Sequence, residues 1–520
     1  MHGSFTAWMS ISQIEHARMS GAWFLFAPRL NSPRQAVASI RRLIQKVKTS
    51  DMDKMKLFFG VFGRTLMFFP QVSFPAFVRS GFLQTTHILI YFSVALILIT
   101  SRAVAAPSLT QDDVLRKWYS LSLLLIRHTP TYSPPVASRA LAYMGVVSYE
   151  AVASGSPKLQ SLEGQLNGLS GIPPREAGQT YNDVVVLEAA LSTTITTLFA
   201  NTGPSGQQAI KKLAEDLDAK VAALDDDAQS RQRSKNYGRA LADHILAWSK
   251  TDGGDVIENM GFPWTYQLKP GPAHWVPTNP LSRQQQVPLL PNWGNNRPFA
   301  MPVDHACALP PPPAYSEDKT SDFYREALEI YRISKSLTPE QKEIAFFWID
   351  DAMASPTPAG HWVSIVLQIA DADKLPIEKL VDVLMRMNVA MADAFIGCWH
   401  EKYRYDLLRP ITYIKRAIDP DWMPFLLTPP FPEYPSGHST QSSAASKVLA
   451  SVLGDPYPFS DKTREKDGAM PRNFTGFTAA AKEAGLSRLY GGIHFRSGME
   501  RGYEQGQCIG AYALALKTWR

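Results

Sequence analysis

The chain has 520 residues, of which 45% are hydrophobic, 11% aromatic and 19% charged, enough apolar material for a large core and a balance that excludes a disordered polymer. Its formal charge of +6 is uneven: residues 1–106 hold 12 Lys/Arg against 3 Asp/Glu, whereas residues 107–520 hold 41 against 44. The body is mildly acidic and has no long Lys/Arg run, which excludes nucleic acid as an expected partner.

The basic leader contains HILIYFSVALILITSRAVAAP, an apolar run over residues 87–100 between Arg79 and Arg102, followed by Ala103-Val104-Ala105. A bilayer span takes roughly 20 apolar residues. This run is shorter, and its small-residue flank fits a secretory signal peptide cleaved near Ala105 or Ala106. The expectation is a secreted or periplasmic protein that leaves the membrane once the signal is removed. Met67 is an alternative start, and a membrane anchor through residues 80–101 is the competing reading. The three cysteines, Cys307, Cys398 and Cys508, are far apart, odd in number and without a CxxC pair. Neither a disulfide framework nor a thiolate metal site is expected.

After residue 106 the pattern is helical. TQDDVLRKWYSLSLLLIRH places Val114, Trp118, Leu121 and Leu125 at helical spacing, and YNDVVVLEAALSTTITTLFA and SKNYGRALADHILAWSK repeat it. Residues 256–316 are too rich in Pro, Gly and Asn for regular structure and read as an ordered, surface-hugging connection. Beyond them TPEQKEIAFFWIDD opens with a capping box, Thr338 with Gln341, and puts Pro339 at the first helical position. The long segment LPIEKLVDVLMRMNVAMADAFIGCWHEKYRYDLLRP should run as one helix to Pro410. Convincing alternating strands are absent. The predicted fold is all-α: a leader (1–106), an N-terminal helical bundle (107–255), the connection (256–316) and a C-terminal bundle (317–520).

The chemistry clusters in the second bundle. Lys402 and Arg409 lie seven apart, nearly two helical turns, so the spacing places both on one face. Ser436, Gly437 and His438 stand just before the run STQSSAASKVLASVL, where a turn entering a helix offers free N–H groups and the positive end of the dipole. SRLYGGIHFRSG adds Arg488 and, across Gly491-Gly492, His494. Singly these are a solvated face, a turn and a loop histidine. Together they are three cations, a hydroxyl, backbone donors and two imidazoles, a set suited to a tetrahedral oxyanion.

The blocks K-x6-R-P (Lys402 to Pro410), P-S-G-H (Pro435 to His438) and S-R-x5-H (Ser487 to His494) resemble the signature of the vanadium-dependent haloperoxidases and the related type 2 phosphatidic acid phosphatases. RHTPTYSPPVASRALAY and HWVPTNPL extend the resemblance toward secreted bacterial-type members. It implies vanadate in its highest oxidation state as the cofactor, with no haem. Lys402, Arg409, Ser436, Gly437 and Arg488 would hold the equatorial oxygens, His494 would be the metal ligand, and His438 would face the opposite axial oxygen as acid and base. Hydrogen peroxide and a halide would be the substrates, hypohalous acid the product, and a small organic molecule a possible acceptor. Trp399 and Phe431 would wall the halide pocket, as in chloroperoxidase-type members, against a bland reading as core aromatics. Neither the halide nor the oligomeric state is specified.

One position departs from the family pattern. An Asp often follows the metal-bound His by four residues and orients it; here that residue is Gly498, and the backbone or Glu500 is expected to substitute. Asp351 is expected to pair with Arg488, and His361 could approach the pocket. Two other functions fit the same blocks. A phosphatase would use His494 as nucleophile toward phosphorus and His438 as the acid. A non-catalytic oxyanion-binding protein would need only the cations.

Overall fold

A computed structural model describes residues 109–520 except 225–226, 258–265, 279–286 and 305; the leader, with its signal-peptide reading, lies outside these residues. Among the described residues no helix is long and apolar enough to cross a membrane.

The first five helices are α1 (Gln111–His128), α2 (Pro134–Ala153), α3 (Asp183–Leu198), α4 (Pro204–Ala222) and α5 (Ala228–Ser249). α1 starts with a capping box between Thr110 and Asp113 and buries Val114, Trp118 and Leu125 on one side. α2 has Pro at its start and is buried on all faces from Pro135 to Ala153, as a helix must be when neighbours cover its whole circumference. Eight more follow: α6 (Asp322–Lys335), α7 (Pro339–Phe347), α8 (Thr357–Asp373), α9 (Ile377–Tyr405), α10 (Pro410–Ala417), α11 (Gly437–Leu453), α12 (Phe477–Tyr490) and α13 (Arg496–Ala515). The Thr338–Gln341 capping box opens α7 as expected. Among the described residues the strands are two short ones, β1 (Phe459–Asp461) and β2 (Arg472–Phe474), paired antiparallel.

Two expectations are corrected, the end of the long helix and the cysteine pairing. The described residues fall in one compact unit. α2 packs along α9, and one cluster runs from Val114 through Val389 to Leu516. The long helix α9 stops at Tyr405, five residues before Pro410. Asp406 takes a left-handed conformation (φ 52°, ψ 40°) and returns its N–H to Lys402 O, while Pro410 starts α10 as its first residue. Finally, Cys307 and Cys508 form a disulfide with Cα atoms 5.9 Å apart, closing a separation of 201 residues that gives no pairing signal along the chain. Cys398 is buried and free. Replacing both bonded cysteines with Ala should reduce unfolding free energy by about 2–5 kcal/mol, seen as a lower melting temperature; an unchanged one would show that the bond closes a loop already fixed by packing.

The connection is ordered where it is described. Trp275 N–H donates to Asp406 O, Leu408 N–H to Ala273 O and Leu289 N–H to Pro430 O, at 2.8–2.9 Å. It thereby braces the stretches that lead into Arg409 and Phe431.

α11 and α13 lie against each other along a stripe of glycines, Gly498, Gly502, Gly506 and Gly510. A Cβ at Gly506 would stand 2.1 Å from Thr440 O, and one at Gly502 2.9 Å from Ser436 O. Only glycine permits this approach of two helix backbones.

Candidate active site

Four segments converge beneath this helix pair: the end of α9, the start of α10, the start of α11 and the α12–α13 junction. Lys402, in the last turn of α9, is fully buried. Its ammonium donates to the carbonyls of Pro432 (3.0 Å), Glu433 (2.9 Å) and Pro435 (2.5 Å), so all three of its hydrogens hold the loop before α11. Arg409 does not share a helix face with Lys402, because the Asp406 turn intervenes; it arrives instead as the N-cap of α10. Its Nε donates to Phe431 O (2.7 Å), and its Nη1 to Ile493 O (2.9 Å) and His494 Nε2 (3.2 Å).

Ser436 is the N-cap of α11. Its hydroxyl accepts from Ser439 N–H at 3.4 Å, and its own N–H donates to Gly498 O at 2.8 Å. The helix begins at Gly437, two residues before the predicted run. The N–H groups of Gly437 and His438 thus fall in a first turn, where no intrahelical acceptor exists and the dipole favours an anion. Arg488, in the last turn of α12, donates from Nη2 to Trp348 O (2.5 Å) and Ala345 O (3.4 Å), and from Nε to Ser487 Oγ (3.0 Å). Gly492, at φ 75°, then reverses the chain. His494 is returned to the cavity of Arg409, as the Gly-Gly break predicts.

Electrostatics single this cluster out. None of Lys402, Arg409 and Arg488 forms an ion pair among the described residues, although each is at most 2% exposed. Burial pushes the Lys402 ammonium down to about 7 and the two guanidinium groups down to about 10. Burial, and next the neighbouring cations, hold His438 and His494 well below the usual imidazole value, so both are neutral. Buried cations without counter-charge cost several kcal/mol each. Among the buried donors and acceptors with no partner are Arg409 Nη2, His438 Nε2 and Glu433 Oε2. The first two of these atoms, three unpaired cations and free helix-start N–H groups fit a tetrahedral oxyanion such as vanadate or phosphate.

Trp399 and Phe431 stand beside the cations. Their rings lie 5.0 Å apart; Phe431 is 5.1 Å from Lys402 Nζ and 4.8 Å from the Arg409 guanidinium, and Trp399 is 5.8 Å from Lys402 Nζ. Trp399 Nε1 is tied to Leu289 O at 3.2 Å.

Asp351 does not pair with Arg488, which bonds carbonyls instead. Asp350, in left-handed backbone at φ 44°, turns its own carboxylate inward to His361 and leaves Asp351 at the surface. The charge of Asp351 reaches Arg488 only through space. Asp351→Ala is therefore expected to weaken phosphate binding by less than about fivefold, as for other exposed charges; a larger loss in a titration would show a direct role. His361 is likewise outside the pocket, buried between Asp350 (3.0 Å) and Asp461 (2.8 Å) with its ring stacked on Trp348.

Sequence reasoning missed Glu433. Its Oε1 accepts from His494 Nδ1 at 2.7 Å and from Phe495 N–H at 2.9 Å. Glu500 plays no such part: it is largely exposed and faces Arg496. The signal was a carboxylate three residues before Ser436 in an otherwise cationic site.

Residues 382–518 match the model of the VCPO second helical-bundle domain. The chain is 25% identical over 395 residues to vanadium chloroperoxidase of Curvularia inaequalis, covering 63% of the length of each. It superposes on the crystal structure of a bacterial vanadium-dependent iodoperoxidase with a TM-score of 0.71 and 35% identity, covering 78% of this chain and 96% of that one. The fold alone is shared with a holo-type bacterial vanadium-dependent chloroperoxidase, at a TM-score of 0.60, 18% identity and coverage of 75% and 92%. At 35% identity to a relative of which it covers 96%, this chain belongs to the vanadium haloperoxidase family.

Proposed function

We propose that the chain oxidises a halide with hydrogen peroxide to hypohalous acid, using vanadate. The observation that carries this reading is the pairing of three unpaired buried cations with two neutral imidazoles on the same cavity, one of them with its Nδ1 held by Glu433 and its Nε2 directed at Arg409. An anion holder has no use for neutral imidazoles. The likeness to an iodoperoxidase and a chloroperoxidase supports the same reading.

Arg409, Arg488, the Ser436 hydroxyl and the Gly437 N–H would hold the oxygens of vanadate, and His494 Nε2 would be its protein ligand. When bound, the vanadium centre supplies Lewis acidity without changing oxidation state. His438, neutral and with an unpartnered Nε2, is equipped to take a proton from hydrogen peroxide and return it to the departing product. Lys402 places positive charge where negative charge develops on oxygen. Trp399 and Phe431 exclude water and offer an apolar wall to the halide. The Cys307–Cys508 disulfide and the basic, apolar leader support a secreted protein.

The test is halogenation of a dione reporter by metal-stripped protein given orthovanadate, peroxide and chloride, bromide or iodide, with phosphoester hydrolysis measured beside it. Vanadate-dependent halogenation suppressed by phosphate is expected. Hydrolysis without vanadate, and no halogenation with it, would assign the pocket to a phosphatase.

A further inference from the structure

The carboxylate beside His494 and the glycine where the family often has an aspartate are two halves of one arrangement. A Cβ built on Gly498 falls 2.3 Å from Glu433 Oε1 and 2.9 Å from Oε2, far inside contact distance. That same Oε1 is the atom 2.7 Å from His494 Nδ1. The space that a side chain at 498 would enter is thus already filled by the Glu433 carboxylate, and only one of the two positions can carry the acid. We propose that Glu433 is the positioning residue of His494, standing in for an aspartate at 498, and that Gly498 exists to admit it. This rests on the reading of His494 as a vanadate ligand.

The route of the replacement carries its own information. An acid at 498 would belong to α13, the helix that follows His494. Glu433 belongs instead to the loop that leads into α11, whose carbonyls at 432, 433 and 435 are gripped by Lys402. Glu433 is fully buried, and its Oε1 also accepts Phe495 N–H, which fixes the backbone just after the imidazole. With Nδ1–H donating to Glu433, the ring is locked in the tautomer whose Nε2 lone pair faces Arg409 and the anion cavity. The cradle loop and the metal-ligand histidine are therefore one rigid piece, joined by a side chain rather than by a helix turn.

Four full-length variants test this, with vanadate and phosphate affinities measured by equilibrium titration and the His494 tautomer read by nitrogen NMR. Phosphate needs the cations but no bond from Nε2, so it controls for the pocket. Glu433→Ala should lower vanadate affinity by about 10- to 100-fold while phosphate affinity changes little, and the Nδ1–H tautomer signal should be lost. Gly498→Asp alone should do similar damage, because two acids cannot share the space. The double variant, Glu433→Ala with Gly498→Asp, should bind vanadate better than either single one and regain the tautomer. Glu433→Gln, which keeps the shape and an acceptor oxygen, should retain the tautomer and serves if the Ala variant is unstable. An unchanged vanadate-to-phosphate ratio and tautomer in Glu433→Ala, or a double variant no better than the singles, would overturn the proposal. A wild-type protein that does not prefer vanadate to phosphate would overturn the vanadate reading instead, with the tautomer still reporting on Glu433.

Discussion

His494→Ala is expected to lower kcat/KM for vanadate-dependent halogenation by on the order of 10³-fold or more, because a Lewis acid held without its protein ligand loses several kcal/mol of stabilisation and each 1.4 kcal/mol is tenfold. Phosphate binding should survive within about tenfold, since three cations and the helix-start N–H groups remain. Part of that loss comes from Glu433, which would keep its place 2.9 Å from Phe495 N–H but lose its imidazole partner and face the anion directly. Halogenation and phosphate titration on the same preparation separate the two effects. Equal losses in both would mean that His494 supports the cavity rather than the chemistry. If the wild type hydrolyses phosphoesters, and that activity vanishes with His494, the imidazole is a nucleophile.

The second large effect is on pH. Lys402 falls from its ordinary 10.5 to about 7 through burial. Between those values the unfolded chain binds the proton that the folded chain has lost, so the cost of burying this ammonium is complete below pH 7 and fades as pH rises toward 10.5. Glu433 rises from 4.5 to about 7, again through burial, and moderated by Lys402 and Arg409. Its cost grows from pH 4.5 upward and is complete above 7. The two costs overlap near neutrality, so the anion-free protein should show a dip in melting temperature around pH 7. Sulfate, whose charge is constant in this range, should fill the dip by keeping Lys402 charged. Its affinity should fall by up to tenfold per pH unit above 7, each unit being 1.36 kcal/mol. Calorimetry in buffers of different ionisation enthalpy should detect proton uptake on sulfate binding at pH 8. A melting temperature flat from pH 6 to 8, with and without sulfate, would show that neither Lys402 nor Glu433 titrates in this range.

Most of the pocket was legible because its donors sit in three short blocks whose internal spacing is local. Ser436 at a helix start, Arg488 before a Gly-Gly break and His494 after it are consequences of neighbours in sequence, and the structure places them together. The helical class was equally open to periodicity. What escaped notice depends on tertiary packing. Nothing around Asp406 announces a left-handed residue, so the sequence pattern extends the helix to Pro410 and places Arg409 on the face of Lys402, where it does not lie. The Cys307–Cys508 bond spans 201 residues and leaves no trace in spacing. Asp350 rather than Asp351 turns inward because of one backbone angle. Glu433 lies 61 residues from the histidine it serves, and a search confined to one turn after His494 could find only Gly498 and an exposed Glu500.

The glycine stripe between α11 and α13 bears on how this pocket can change over time. Its donors at Gly437 and His438 are main-chain groups, so no substitution at those positions other than proline can remove them, and none can lengthen their reach. Their coordinates are inherited from the distance between two helices, which Gly502 and Gly506 hold at the limit set by backbone contact with Ser436 and Thr440. Tuning of the anion site is thus displaced onto residues that never touch an anion: a single methyl at 502 or 506 would push α11 away and move the first-turn donors with it. Variation that looks silent from inside the cavity would then be felt there, and the positions most resistant to change would be ones with no side chain at all.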